Sequence, residues 1–119
     1  MRDYKTLKVW EKAHRFALAV YQATAGFPSE ERFGLTREVR RSATSVPSNI
    51  AEGCGRESEP DFARFLNIAA GSASEAAYQL LLAHDLHYLD QRAYADLDAQ
   101  AQEIKRTLNG LIQRLRANG

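Results

Sequence analysis

The chain has 119 residues, 45% of them apolar, and 16 basic against 15 acidic residues leave a net charge of +1. That length allows one domain with its own core, and the near-neutral balance excludes the bulk signature of a nucleic-acid binder, so any such role must rest on local clustering. A single cysteine, Cys54, excludes an internal disulfide.

The opening Met1-Arg2-Asp3-Tyr4-Lys5 lacks the apolar block of a signal peptide. The densest apolar run, Leu80-Leu81-Leu82-Ala83, is far too short to span a bilayer. A cytoplasmic protein with no membrane partner is expected. No stretch alternates as a half-buried strand would, and the apolar residues recur with helical period in four segments, approximately 5–25, 30–54, 58–88 and 91–117.

In the first segment Leu7, Trp10, Ala17 and Tyr21 form one stripe, and Val9, Ala13, Phe16 and Val20 form a second beside it. Together they exceed the roughly 100° arc that a core-facing helix needs. Lys5, Lys8, Lys12 and Arg15 cluster on the solvent face, and Gly26-Phe27-Pro28 ends the segment. Ser29, with Glu30 and Glu31, suits the opening of the second helix, where oxygens meet orphan N–H groups and carboxylates favour the dipole. Leu35, Val39, Ala43, Val46, Ile50 and Cys54 keep one face across Pro47. The proline costs about 3 kcal/mol there, and the spacing predicts one helix kinked at Pro47. Arg37, Arg41, Ser48 and Glu52 lie opposite that face. Arg41 and Glu52 are too far apart to pair with each other, so each needs a partner elsewhere. Gly53 and Gly55 are expected to close the helix in the left-handed conformation.

Ser58 with Asp61 resembles a capping box for the third helix, and Pro60 is tolerated in its first turn. Phe62, Leu66, Ala69, Ala73 and Leu80 face one way, whereas Ile68, Leu82 and Leu86 point well away from them. Asp90 is placed to cap the fourth helix. There Tyr94, Leu97, Ala101, Ile104, Leu108, Leu111, Ile112 and Leu115 make one narrow stripe with a solvated back. Short connectors make sequential helices antiparallel neighbours. The expected fold is all-α, an up-down-up-down four-helix bundle over residues 1–119, with the fourth helix facing solvent.

A search for chemistry gives little. Glu11 and His14 have the spacing of a di-iron pair, but Glu11 projects to the polar face and no second pair exists. His84 and His87, three apart on the third helix, lack carboxylates on a partner helix. Cys54 ends an apolar face and reads as a small buried hydrophobe. Gly53-x-Gly55 follows no strand, and Ser42, Ser45 and Ser48 have no histidine near them in sequence. No catalytic, cofactor, small-molecule or metal site is assigned, and no enzyme is expected. The doubled apolar faces point instead to self-association through Val9, Phe16, Val20, Ile68, Leu82 and Leu86. The basic strip Lys5, Lys8, Lys12 and Arg15 reads as a solvated surface or, repeated around an assembly, as contacts to RNA or DNA.

Several motifs bear a family likeness: Leu7-Lys8-Val9-Trp10-Glu11-Lys12-Ala13; Phe27-Pro28 with Glu31 and Phe33-Gly34-Leu35; Arg40-Arg41-Ser42-Ala43; Ser45-Val46-Pro47-Ser48-Asn49-Ile50-Ala51-Glu52-Gly53; and Ala69-x-Gly71-Ser72 with Glu75. On these the chain resembles the four-helix bundle proteins encoded in intervening sequences of bacterial 23S ribosomal RNA genes, over nearly its whole length. The resemblance implies an all-α bundle that assembles into a ring of five, with no established enzymatic role. A related branch is the accessory variability protein of diversity-generating retroelements, a strongly basic pentamer that binds nucleic acid and a reverse transcriptase. Arg41, Asn49, Glu52, Ser72 and Glu75 match the signature polar positions. They are expected to tie helices two and three together or to join neighbouring subunits.

Overall fold

The structure is a computed structural model that describes residues 2–118, so the two end residues of the expected domain lie outside the described residues. Four helices, α1 (Lys8–Thr24), α2 (Leu35–Cys54), α3 (Glu59–Asp85) and α4 (Gln91–Asn118), make up most of it. Short 3-10 turns at Tyr4–Thr6 and Ser29–Glu31 precede α1 and α2. The long helices set the 46 Å length of a body only 22 by 20 Å across, as expected at 1.5 Å per helical residue. Neighbouring pairs are α1 with α2, α2 with α3, α3 with α4, and α4 with α1, which is the square of an antiparallel bundle.

The ends are tied accordingly. At one end Arg2 N donates to Cys54 O at 2.9 Å, joining the N-terminal segment to the α2–α3 turn. At the other, the Tyr88 hydroxyl donates to Glu31 Oε2 at 3.0 Å, and the Phe27 and Tyr88 rings lie 5.5 Å apart. The α1–α2 and α3–α4 connections therefore share that end.

Several helix ends follow their local chemistry. Ser58 Oγ accepts from Asp61 N at 3.2 Å to cap α3, and Asp90 Oδ1 accepts from Ala93 N at 2.7 Å at the start of α4. The start of α2 differs from expectation. Ser29 belongs to the separate 3-10 turn, and Glu31 Oε1 accepts from Leu35 N at 3.1 Å. Glu31 thus satisfies an orphan donor from one turn upstream. No described residue other than His87 takes a positive φ, so neither Gly53 nor Gly55 closes α2 in the left-handed form. Gly53 is the last but one residue of α2 and is pressed against Phe62 and Phe65 of α3. Pro47 is buried, and α2 runs through it as one element.

The core joins Val9, Ala13, Phe16 and Val20 of α1 to Val39, Ala43, Val46 and Ile50 of α2. Phe62, Leu66, Ala69, Ala73, Ala76 and Leu80 of α3 and Leu97, Ala101, Ile104 and Leu108 of α4 complete it. The alanines of α3 leave room for a close approach to α2.

Candidate interaction surfaces

The expected polar positions meet along the seam between α2 and α3. Arg41 Nη2 lies 3.2 Å from Glu75 Oε2 on α3 and 3.0 Å from Glu38 Oε1 one turn earlier. These carboxylates push the Arg41 guanidinium above its ordinary pKa, led by the hydrogen bond to Glu38. One turn further along, Ser45 and Ser72 share a 2.8 Å hydrogen bond. Asn49 Nδ2 donates to Ser45 Oγ at 2.9 Å and to Ser45 O at 2.8 Å. Glu52 lies apart from this ladder and pairs with Arg56 at 2.9 Å. Four of the five positions thus form an α2–α3 seam, and Glu52 serves the turn that follows.

The apolar candidates divide by helix. Val9, Phe16 and Val20 are not outward residues: they are at most 4% exposed within a single chain, because the α1 stripe they share is the one that faces the core. The other α1 stripe remains partly outside, with Trp10 half-buried and Tyr21 44% exposed beside Leu18 at 51%. Ile68, Leu82 and Leu86 do lie outward, at 41%, 36% and 44%. Tyr78 and Leu81, absent from the sequence-based set, are exposed on the same helix. Period alone cannot choose between two adjacent stripes, since either would bury one arc.

A groove of about 370 Å³ runs between α1 and α2, lined by Tyr4, Trp10, His14, Leu18, Tyr21 and Pro47, among others. Tyr4 meets the Trp10 ring edge-on, and His14 stacks on Trp10 with ring centres 5.1 Å apart.

The basic strip is partly neutralised. The Lys12 ammonium pairs with Glu103 of α4 and holds that carboxyl below its ordinary pKa, and Arg15 pairs with Glu11 at 2.7 Å. Lys5 and Lys8 make no ion pair among the described residues.

The remaining chemical candidates sit in structural surroundings. His84 stacks on Tyr94 at 4.8 Å, whereas His87 lies beyond the end of α3 with φ 68°, so the two do not share a helical face. Burial pushes the Cys54 thiol above its usual pKa, which disfavours the reactive thiolate. No group of three or more potential metal ligands is gathered among the described residues. Among the described residues no helix is long and apolar enough to cross a membrane.

Sequence reasoning missed one constellation. Where α1 ends and α2 begins, Arg32, Arg37 and Arg40 surround Phe33 and Tyr21, with Thr36 between them. Its sequence signal was the arginine density of residues 32–41 next to an aromatic. That signal was obscured because Tyr21 comes from another helix.

Comparison with known proteins agrees with this architecture. Among curated proteins none matches the chain. A crystal structure from Bacteroides thetaiotaomicron, described as a protein with unknown function from the S23 ribosomal protein family, is similar at 29% identity and a TM-score of 0.79. The similarity covers 87% of this chain and 97% of that one. The profile of the 23S rRNA-intervening sequence proteins matches residues 5–110, the whole bundle except the last turns of α4. With the match spanning all four helices, the chain belongs to the 23S rRNA-intervening sequence protein family.

Proposed function

We propose that this protein is a non-enzymatic scaffold that works as a homo-oligomer, a ring of five copies, and presents binding surfaces repeated around that ring. The observation behind this reading is the set of apolar side chains exposed on the outer side of α3, Ile68, Tyr78 and Leu82, with Leu86 just beyond its end. Large apolar side chains exposed together on one side of a helix mark interaction sites. A second, different apolar surface exists in the α1–α2 groove around Trp10, Leu18 and Tyr21. Two unlike surfaces favour a head-to-tail contact over a two-fold one, and head-to-tail contacts close into rings when the rotation permits. The family resemblance supplies the number five. Each half-exposed Ile or Leu in the set adds about 1 kcal/mol when covered, below the value for burying a fully exposed side chain.

Nucleic-acid binding through Lys5, Lys8, Lys12 and Arg15 is the weaker reading, because Glu103 and Glu11 already offset two of the four charges.

The paired substitution Ile68→Glu and Leu82→Glu tests the scaffold reading. Both side chains are exposed in the single chain, so the fold should survive while assembly fails. Light scattering coupled to size exclusion should show one chain mass with helical circular dichroism retained. A variant that keeps the wild-type mass would overturn the proposal.

A further inference from the structure

Six arginine–aromatic stacking contacts occur in the described residues, and they differ in their charge balance. At the α2–α3 end, Arg2, Arg56 and Arg64 lie over Phe62 or Phe65, and each also pairs with a carboxylate: Glu59, Glu52 and Asp61. At the opposite end, Arg32 and Arg37 lie 4.9 and 5.9 Å from the Phe33 ring centre, and Arg40 lies 4.4 Å from that of Tyr21. None of these three has a carboxylate partner among the described residues. Three positive charges are therefore left uncompensated in one place, on a chain whose net charge is only +1.

These arginines line an open cleft of about 370 Å³ that adjoins a second of about 260 Å³, with Arg32, Thr36 and Arg40 common to both. Thr36 is only 7% exposed, and its Oγ1 is buried with no hydrogen-bond partner. A buried hydroxyl left unpaired is costly, and this one lies just behind the cleft that Thr36 lines. Thr36 and Arg37 are also in the first turn of α2, where backbone N–H groups lack intrahelical acceptors and the dipole is positive. Arg40 is held in place, its Nε donating to Thr24 Oγ1 at 2.8 Å and Nη2 to Tyr21 O at 3.2 Å. Beside this anion-favouring wall stands Phe33, 72% exposed, the most exposed large apolar side chain of the described residues.

We propose that this cleft binds a nucleotide unit, either free or within a single strand. Its phosphate would meet Arg32, Arg37 and Arg40, while its base stacks on Phe33. The pairing of cationic groups with an open aromatic face is the device by which single strands are held without reading their sequence. The cleft volume is in the range of small-ligand sites. An acidic peptide would use the guanidinium groups but leave Phe33 without a planar partner. The site is complete within one chain, so it does not rest on the assembly proposed above.

The experiment is a fluorescence anisotropy titration of the full chain with a short labelled single-stranded oligoribonucleotide, at two salt concentrations. Unlabelled mononucleotide, inorganic phosphate and an acidic peptide serve as competitors. Binding should weaken as salt rises, and Arg32→Glu with Arg37→Glu should abolish it while helical content is retained. Phe33→Ala should weaken the strand and the mononucleotide roughly tenfold and leave phosphate competition unchanged. A mononucleotide that competes as well as the strand identifies free nucleotide as the ligand; weaker competition identifies the strand. The proposal is overturned if the strand does not bind or if the arginine reversals leave binding intact. Competition by phosphate or the acidic peptide as strong as by mononucleotide, or no effect of Phe33→Ala, also overturns it.

Discussion

A Cβ built on Gly53 would stand 2.9 Å from Phe65 Cβ and 3.2 Å from Phe62 Cδ1. Phe65 Cβ is fixed to its backbone, so α2 and α3 would have to separate to admit it. Gly53→Ala should therefore destabilise the fold by about 1–3 kcal/mol, seen as a lower denaturation midpoint at unchanged slope. Gly110, inside α4, has only the flexible end of Arg114 nearby, at 3.7 Å. There the same substitution should stabilise by about 1 kcal/mol, the difference in helix propensity. His87 offers a further case. Its φ is 68°, with its N–H bonded to His84 O and Tyr88 N–H to Ala83 O, both at 2.9 Å. This is a Schellman ending with histidine where glycine is usual. His87→Gly should raise stability by about 1 kcal/mol, the left-handed strain relieved less the entropy glycine loses. Unchanged thermal midpoints would contradict that account.

Among elements, the link between the α1–α2 and α3–α4 connections depends on Glu31, which accepts from Leu35 N and from the Tyr88 hydroxyl. That hydrogen bond, followed by desolvation and the nearby carboxylates, raises the Tyr88 pKa above the ordinary phenol value. The folded state thus favours the protonated phenol. Its contribution is fully present below the ordinary tyrosine pKa and is lost as pH rises through the raised one. Desolvation also raises Tyr94. An alkaline absorbance titration should show two late phenols, reduced to one by Tyr88→Phe; all tyrosines titrating together would contradict this. The four helices were legible because their apolar period persists for more than about four turns in each, and the caps at Ser58 and Asp90 because those bonds are local. Glu31 as the cap of α2 was not legible. It sits outside the helix and reaches back over a 3-10 turn, where no spacing rule assigns it. Gly53 was legible as a special position but for the wrong reason, since its role depends on α3 rather than on its own φ.

At the scale of the molecule, the proposed assembly rests on apolar side chains left exposed on α3 and along the α1–α2 groove. Ile68, Leu82 and Leu86 were readable from sequence as facing away from the α3 core, because the opposite side of that helix is occupied by Phe62, Leu66, Ala73 and Leu80. Val9, Phe16 and Val20 were misassigned because α1 carries two adjacent stripes and only packing selects between them. The arginine–Phe33 cleft required tertiary structure, since it joins the end of α1 to the start of α2. Whether the exposed set on α3 is covered by a second copy is the central claim. Sedimentation equilibrium of the unmodified chain at micromolar concentration tests it most directly. The account predicts one species of five chain masses, and a single chain mass throughout the range would contradict it.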